Sequence, residues 1–339
     1  MTHDLRNYQK TGIRSVIEAW DSNKKPMVSV ATGGGKTVMI SQLLFETLAP
    51  NKRALVVAHT TEIVHQIYIT LQRRHTRSIG IVMGARNDVD SQIIVATRQS
   101  LTSKRLSNIL EYGAFQVVVI DEAHHATTDN TYGDIINAIL KKNPRSKIVG
   151  FTATPNRTDG QGTDEDGKLF DDIVFSWSIK DGIRSGFLVP VKHIPVTVGQ
   201  YPNQVSVMDC KNWLQLSVQS YEKYIAGRRQ TLAFYPSVQM SLQFSRALKR
   251  RGFSAAHIDG TTPKDKRHSV ITDYKNGKIQ IICNMEVLTE GFDAPNTSAI
   301  IMARSTQSRS LFTQIIGRGL RPSPNKKDCL LINLTGEFF

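Results

Sequence analysis

Short apolar runs alternate with amphipathic stretches along most of the chain. Each run ends in a cluster of Gly, Thr, Asp or Ser. Val28-Ser29-Val30-Ala31 is rich in β-branched residues. It turns through Gly33-Gly34-Gly35 into Lys36-Thr37 and an apolar-periodic segment bearing Val38, Ile40, Leu43 and Leu44. That pattern predicts strand, loop and helix. Residues 53–59, 91–97, 116–120 and 147–151 repeat the apolar run, and their continuity predicts parallel strands buried on both faces. Thr60-Thr61-Glu62 caps a helix through Ile63, Ile67 and Leu71.

The stretch up to Phe170 is rich in Gly and Asp and reads as a loop. A short helix from about Ile179 and an extended stretch through Val196 follow. The alternation restarts at Thr231, with strands expected over 231–235, 255–258, 280–283, 299–302 and 329–334. Helices are expected through Met240, Phe244 and Leu248, and over 264–274 and 310–316. Gly252, after a basic helix end, suits a C-cap. A domain link between about 190 and 225 divides the chain into 1–196 and 197–339. Strand and helix alternating in both halves predict an α/β protein of two domains.

With 339 residues there is material for two such cores. No apolar run approaches a membrane span, and the first residues do not read as a signal peptide. The three cysteines are far apart and form no C-x-x-C pair, which argues against disulfides and a cysteine-based zinc site. A cytoplasmic monomer is expected. The formal charge of +14 suggests a polyanionic partner. Residues 1–196 carry 24 basic and 19 acidic side chains, the remainder 19 and 10. The excess in the second half makes a one-sided binding face plausible, although a basic surface also serves solubility.

A Gly-rich loop at a helix start lets backbone N–H groups close around phosphate oxygens. Lys36 can then reach the β and γ phosphates, and the Thr37 hydroxyl can hold Mg²⁺. The stretch departs from G-x-x-x-x-G-K-[ST], because Val30 stands where the first glycine belongs, and it would also suit a turn before a surface helix. The run at 116–120 ends in Asp121-Glu122-Ala123-His124. There Asp121 can organise the water shell of Mg²⁺, and Glu122 can orient and deprotonate an attacking water. His124 has no partner at metal-ligand spacing, so a polar coupling role is expected for it. Gln9 offers both a donor and an acceptor to an adenine edge. Thr60 and the Thr97-Arg98-Gln99-Ser100 turn follow strands, where hydroxyls suit backbone phosphates of a nucleic acid or simple capping.

Taken in order, these segments resemble a superfamily 2 helicase of the DEAH type, from Leu5 to Leu334. Leu5-Arg6-x-Tyr8-Gln9 resembles the adenine motif, Ala31 to Thr37 motif I, and Asp121 to His124 motif II. Thr152-Ala153-Thr154 resembles motif III, Leu288-Thr289-Glu290-Gly291-Phe292-Asp293 motif V, and Gln314-x-x-Gly317-Arg318-x-x-Arg321 motif VI. Within that superfamily, residues 152–160 and 288–321 look most like RadD-type repair helicases, with UvsW-type branch-migration enzymes also similar. The Cys-rich C-terminal extension of the RadD type is missing from this sequence.

The resemblance implies two tandem RecA-like domains, each a mostly parallel sheet flanked by helices, using ATP and Mg²⁺. It implies nucleotide contacts from Arg6, Gln9, Gly33, Gly34, Gly35, Lys36, Thr37, Gly291 and Asp293. Gln314, Arg318 and Arg321 would join Lys36, Asp121 and Glu122 in catalysis, the two arginines reaching the phosphate as the lobes close. Nucleic acid would lie near Thr60, Thr97, Gln99, Thr261 and Thr289. The activity implied is a DNA helicase or translocase that remodels branched or repair intermediates. An RNA helicase and a motor subunit of a restriction or defence complex are the alternatives.

Overall fold

In the computed structural model of the chain, residues 5–154, 169–196, 207–227, 229–285, 287–288, 292–306 and 308–335 are described. They fall into two units, Met1–Ser178 and Ile179–Phe339. The first unit's strands are β1 (Met27–Val30), β2 (Arg53–Ala58), β3 (Ile79–Met83), β4 (Arg86–Asn87), β5 (Ile93–Thr97), β6 (Phe115–Asp121), β7 (Lys147–Thr152) and β8 (Ile173–Trp177). They form one sheet in the order β4-β3-β5-β2-β6-β7-β1-β8. Only β4 runs antiparallel, against β3. The helices are α1 (Asn7–Asp21), α2 (Lys36–Thr47), α3 (Thr61–Arg74), α4 (Ser103–Glu111) and α5 (Thr131–Lys142).

Every residue of β2 and β5 is buried, as their unbroken apolar runs require. On one face Leu55, Ile94, Val118 and Ile120 pack with Leu106 and Ile109 of α4 and with Ile135, Ile136 and Ile139 of α5. Because the strands are parallel, the loops after β1, β2, β5, β6 and β7 all leave the same sheet edge. Open α/β sheets gather ligands at that edge.

The second unit holds α6 (Ile179–Arg184), β9 (Val191–Pro195), α7 (Trp213–Tyr224), β10 (Gln230–Phe234), α8 (Val238–Arg250), β11 (Ala255–Ile258), α9 (Lys264–Lys275), β12 (Ile281–Asn284), β13 (Thr297–Met302), α10 (Arg309–Gly319) and β14 (Cys329–Asn333). Its sheet is wholly parallel, in the order β11-β12-β10-β13-β14-β9. Ala233, Cys283, Ile301 and Ile332 pack with Val218 and Tyr221 of α7 and with Phe244 and Leu248 of α8.

The expected division at 196 is corrected here. Strand β9 pairs with β14, Val191 opposite Cys329 through Pro195 opposite Asn333, so the second unit begins at Ile179. Composition missed this because the strand's partner lies far along the chain. Helix α10 also extends three residues past the expected end, which places Arg318 in its last turn. The loop expected before Phe170 lies mostly outside the described residues.

Candidate nucleotide and nucleic-acid site

The loop after β1 is shaped by its glycines. Gly33 and Gly35 have φ of 89° and 82°, the left-handed region that glycine adopts without strain. A Cβ on Gly34 would lie 2.5 Å from Val30 Cγ1 and 2.7 Å from the Trp177 ring. Gly35 is the N-cap of α2, so Lys36 and Thr37 open the helix and its first N–H groups face the loop. The Gly34 carbonyl accepts from Tyr8 Oη at 2.6 Å and from Gln9 Nε2 at 3.1 Å. Gln9 Oε1 accepts from the Arg6 backbone N–H at 3.0 Å, and Arg6 Nη1 lies 3.3 Å from Tyr8 Oη. Tyr8 stacks on Trp177 with ring centroids 4.2 Å apart and planes 7° apart. The adenine-motif segment is therefore fastened to the phosphate loop by the buried Gln9 amide and the Tyr8 hydroxyl.

Across the sheet, Asp121 ends β6, and Glu122 follows at φ 49°. A side chain held in that sparsely populated region costs about 1–3 kcal/mol and marks functional positions. The conformation brings Glu122 Oε1 to 2.8 Å from Lys36 Nζ, with side chains 9% and 15% exposed. His124 Nδ1 lies 3.5 Å from Glu122 Oε2 and 2.9 Å from Thr152 Oγ1. Thr152 is tied to Thr154 in turn, its Oγ1 accepting from Thr154 N–H at 3.1 Å. Lys36, Glu122, His124 and Thr152, from three different strand ends, thus form one polar chain. Beside it the His125 ring stacks on His59, with centroids 4.7 Å apart, and lies tilted against His124 at 4.0 Å, joining the loops after β6 and β2.

Thr60 caps α3, accepting from Ile63 N–H at 3.4 Å. Thr97 is buried, and its hydroxyl donates to Ser100 Oγ at 2.8 Å, while Gln99 is exposed. Both threonine hydroxyls thus make local bonds at the sheet edge. In the second unit Thr261 is exposed, and its hydroxyl donates to Asp259 Oδ1 at 2.8 Å. The Thr261 hydroxyl first, and His257 next, hold the Asp259 carboxyl well below the usual carboxylate range.

Gln314 and Arg318 are buried on α10. Arg318 Nη1 donates to the Phe292 carbonyl at 2.8 Å, and Arg321 pairs with Asp293. The motif V and motif VI candidates are therefore brought together. Thr289 and Gly291 lie outside the described residues.

Residues 2–157 match the family of the type III restriction enzyme res subunit, and residues 217–323 match the helicase conserved C-terminal domain. The chain belongs to the superfamily 2 helicases. IRC3 of Saccharomyces cerevisiae, named as a candidate ATP-dependent helicase, is 29% identical over 98% of this chain and 51% of its own length. The corresponding mitochondrial protein of Schizosaccharomyces pombe is 30% identical over 97% and 57%. The chain thus spans about half the length of these curated relatives. A fragment of a candidate HsdR subunit of a type I restriction enzyme from Vibrio vulnificus superimposes with a TM-score of 0.73 at 21% identity, covering 98% of this chain and 64% of that one. The fold is α/β with two RecA-like helicase domains, as the sequence led one to expect.

Sequence reasoning missed three features of this superfamily 2 helicase. Trp177 sits on an edge strand whose mixed polarity concealed it. The ring contact between His59 and His125 joins residues 66 positions apart, with no periodic signal. Lys326, which the sequence did not single out, is half-buried, with its amine among carbonyls.

Proposed function

We propose that the chain is an ATP-dependent DNA translocase of the DEAH type that remodels branched or repair intermediates, akin to RadD-type and UvsW-type enzymes. The observation that carries the reading is the 2.8 Å pair between Lys36 and Glu122. It sets the phosphate loop directly against the carboxylate placed to activate water. In this reading the α2 N-terminus and Lys36 hold the β and γ phosphates, Gln9 and Arg6 secure the adenine side, and Glu122 orients the attacking water. A hydroxyl and a carboxylate, Thr37 and Asp121, are the hard oxygen donors that Mg²⁺ takes while keeping several waters. When bound, the ion would supply charge neutralisation at the phosphates.

Arg318 and Arg321, on the second unit, are proposed as further catalytic cations for phosphoryl charge, where cations are worth most. Thr60, Thr97 and Gln99 on the first unit and Thr261 on the second are proposed DNA contacts, with Thr60 and Thr97 also holding their own loops. The excess of basic residues supports a polyanionic partner, and the three free thiols suit a reducing cytoplasm.

The match to a restriction-enzyme subunit favours a second reading, in which the chain is the motor of a restriction or defence complex. One experiment tests both: ATPase turnover at matched salt with single-stranded, duplex, forked and four-way DNA and with RNA. DNA stimulation that is largest on branched substrates is expected. Stimulation by plain duplex alone favours the restriction motor, and stimulation by RNA alone overturns the DNA assignment.

A further inference from the structure

We infer that Lys326 is a positioning residue for Arg321, clamping the segment that carries this arginine to the segment that carries Asp293. Lys326 Nζ donates to the carbonyls of Arg321 at 2.7 Å, Pro295 at 3.0 Å and Thr297 at 2.5 Å. The three hydrogens of one ammonium thus join the turn after α10 to the stretch leading into β13. The Arg321 side chain is seated on that same stretch, on Asp293 and, at 3.3 Å, on the Phe292 carbonyl. Arg318 uses the same carbonyl. Backbone and side chain of Arg321 are therefore fixed to one strip of chain from opposite ends, and Lys326 supplies the backbone half. The inference rests on the reading of Arg321 as a cation for the phosphoryl group.

The chemistry fits a clamp rather than a surface charge. Burial comes first in lowering the Lys326 amine to about 8; the neighbouring Cys329 opposes the shift, and the Arg321 and Arg229 guanidiniums add to it. Burial pushes the Cys329 thiol itself up to about 12, so it stays neutral at the working pH. The other charges close by are already engaged. Asp328 is paired with Arg229, and Asp293 with Arg321. Three backbone carbonyls are thus the hydrogen-bond acceptors of the ammonium. Loss of its proton leaves two hydrogens for three carbonyls and loosens the clamp. A displaced catalytic group of this kind costs about 10- to 100-fold in turnover.

The test uses steady-state ATPase with saturating DNA on the full chain, with Lys326→Met, Lys326→Arg, Arg321→Ala and the double variant Lys326→Met/Arg321→Ala. Lys326→Met is expected to lower kcat about 10- to 100-fold while moving the KM for ATP little. The double variant should be no slower than Arg321→Ala, because the clamp works only through that residue. The parent's kcat should fall as pH rises through about 8. Lys326→Arg, whose guanidinium keeps its proton, should lose that alkaline limb.

An unchanged kcat in Lys326→Met, together with an alkaline limb shared by the parent and Lys326→Arg, overturns the inference. So does an equal further loss in the double variant, which would mean general destabilisation. If Arg321→Ala turns over normally, the reading of Arg321 fails and the inference with it. If Arg321→Ala is slow and Lys326→Met is not, only the inference fails.

Discussion

Glu122→Gln should bind ATP more tightly than the parent while losing hydrolysis. Lys36 Nζ lies 2.8 Å from Glu122 Oε1, and the two side chains are only 15% and 9% exposed. A nucleotide's phosphates must compete with that carboxylate for the same ammonium. At this separation an effective dielectric near 20 gives a gross attraction of about 6 kcal/mol. Most of it is offset by the desolvation of both groups.

The useful quantity is the difference between a hydrogen bond to a charged acceptor and one to a neutral amide, about 1–2 kcal/mol. The substituted amide would keep the shape and the weaker bond, so binding should tighten about 5- to 30-fold. The assay is a fluorescent-ATP titration with Mg²⁺, paired with single-turnover hydrolysis. Equal or weaker binding by Glu122→Gln would show that the pair does not oppose phosphate binding. Near-parental hydrolysis would remove Glu122 from its role as the water-activating base.

Gly34→Ala should lower the melting temperature of the first unit. A Cβ there meets Val30 and Trp177 within 2.7 Å, and overpacking of this kind costs about 1–3 kcal/mol, or about 2–12 °C for a unit of this size; adding Trp177→Leu should restore part of the loss in a calorimetric scan. His124→Ala cuts the link from Glu122 to Thr152, so it should lower DNA-stimulated kcat by at least about tenfold with little change in nucleotide affinity, as positioning groups typically do; a parental kcat would exclude the coupling role. The folded Asp259 carboxyl titrates below its unfolded value of about 3.9, so its stabilisation is present above that pH and lost as pH falls below it. Acid unfolding followed by circular dichroism should accordingly be shallower below about pH 4 in Asp259→Asn. DNA affinity should fall by orders of magnitude between about 50 and 200 mM salt, and salt-insensitive binding would exclude phosphate contacts as its source.

The parts of the site that were legible in the sequence are those whose chemistry follows from contiguous residues. Gly33 to Thr37 states both a backbone conformation and a cation, and Asp121-Glu122 closes an apolar run whose burial is unmistakable. The same holds for the sheets, since runs buried on both faces leave little alternative to a parallel strand. What escaped depends on residues that become neighbours only through the fold. The β9 strand looks like a linker until β14 supplies its ladder from well over a hundred residues away. Trp177 is an edge-strand aromatic until it lies on Tyr8.

The threonines pose a different question. A hydroxyl after a strand suggests a phosphate contact, and Thr60, Thr97 and Thr261 each also make a local bond. Such bonds need not compete with function. A loop that must meet a polyanion in a fixed shape gains from hydroxyls that hold its backbone rather than the ligand, because ordering it beforehand removes entropy that binding would otherwise have to supply. On that argument the informative variants at Thr97 and Thr261 are Ser and Val. Serine keeps the hydroxyl and should keep DNA affinity. Valine keeps the shape and loses the bond, so it should weaken DNA binding without changing the salt slope, whereas loss of a direct phosphate contact would lower that slope.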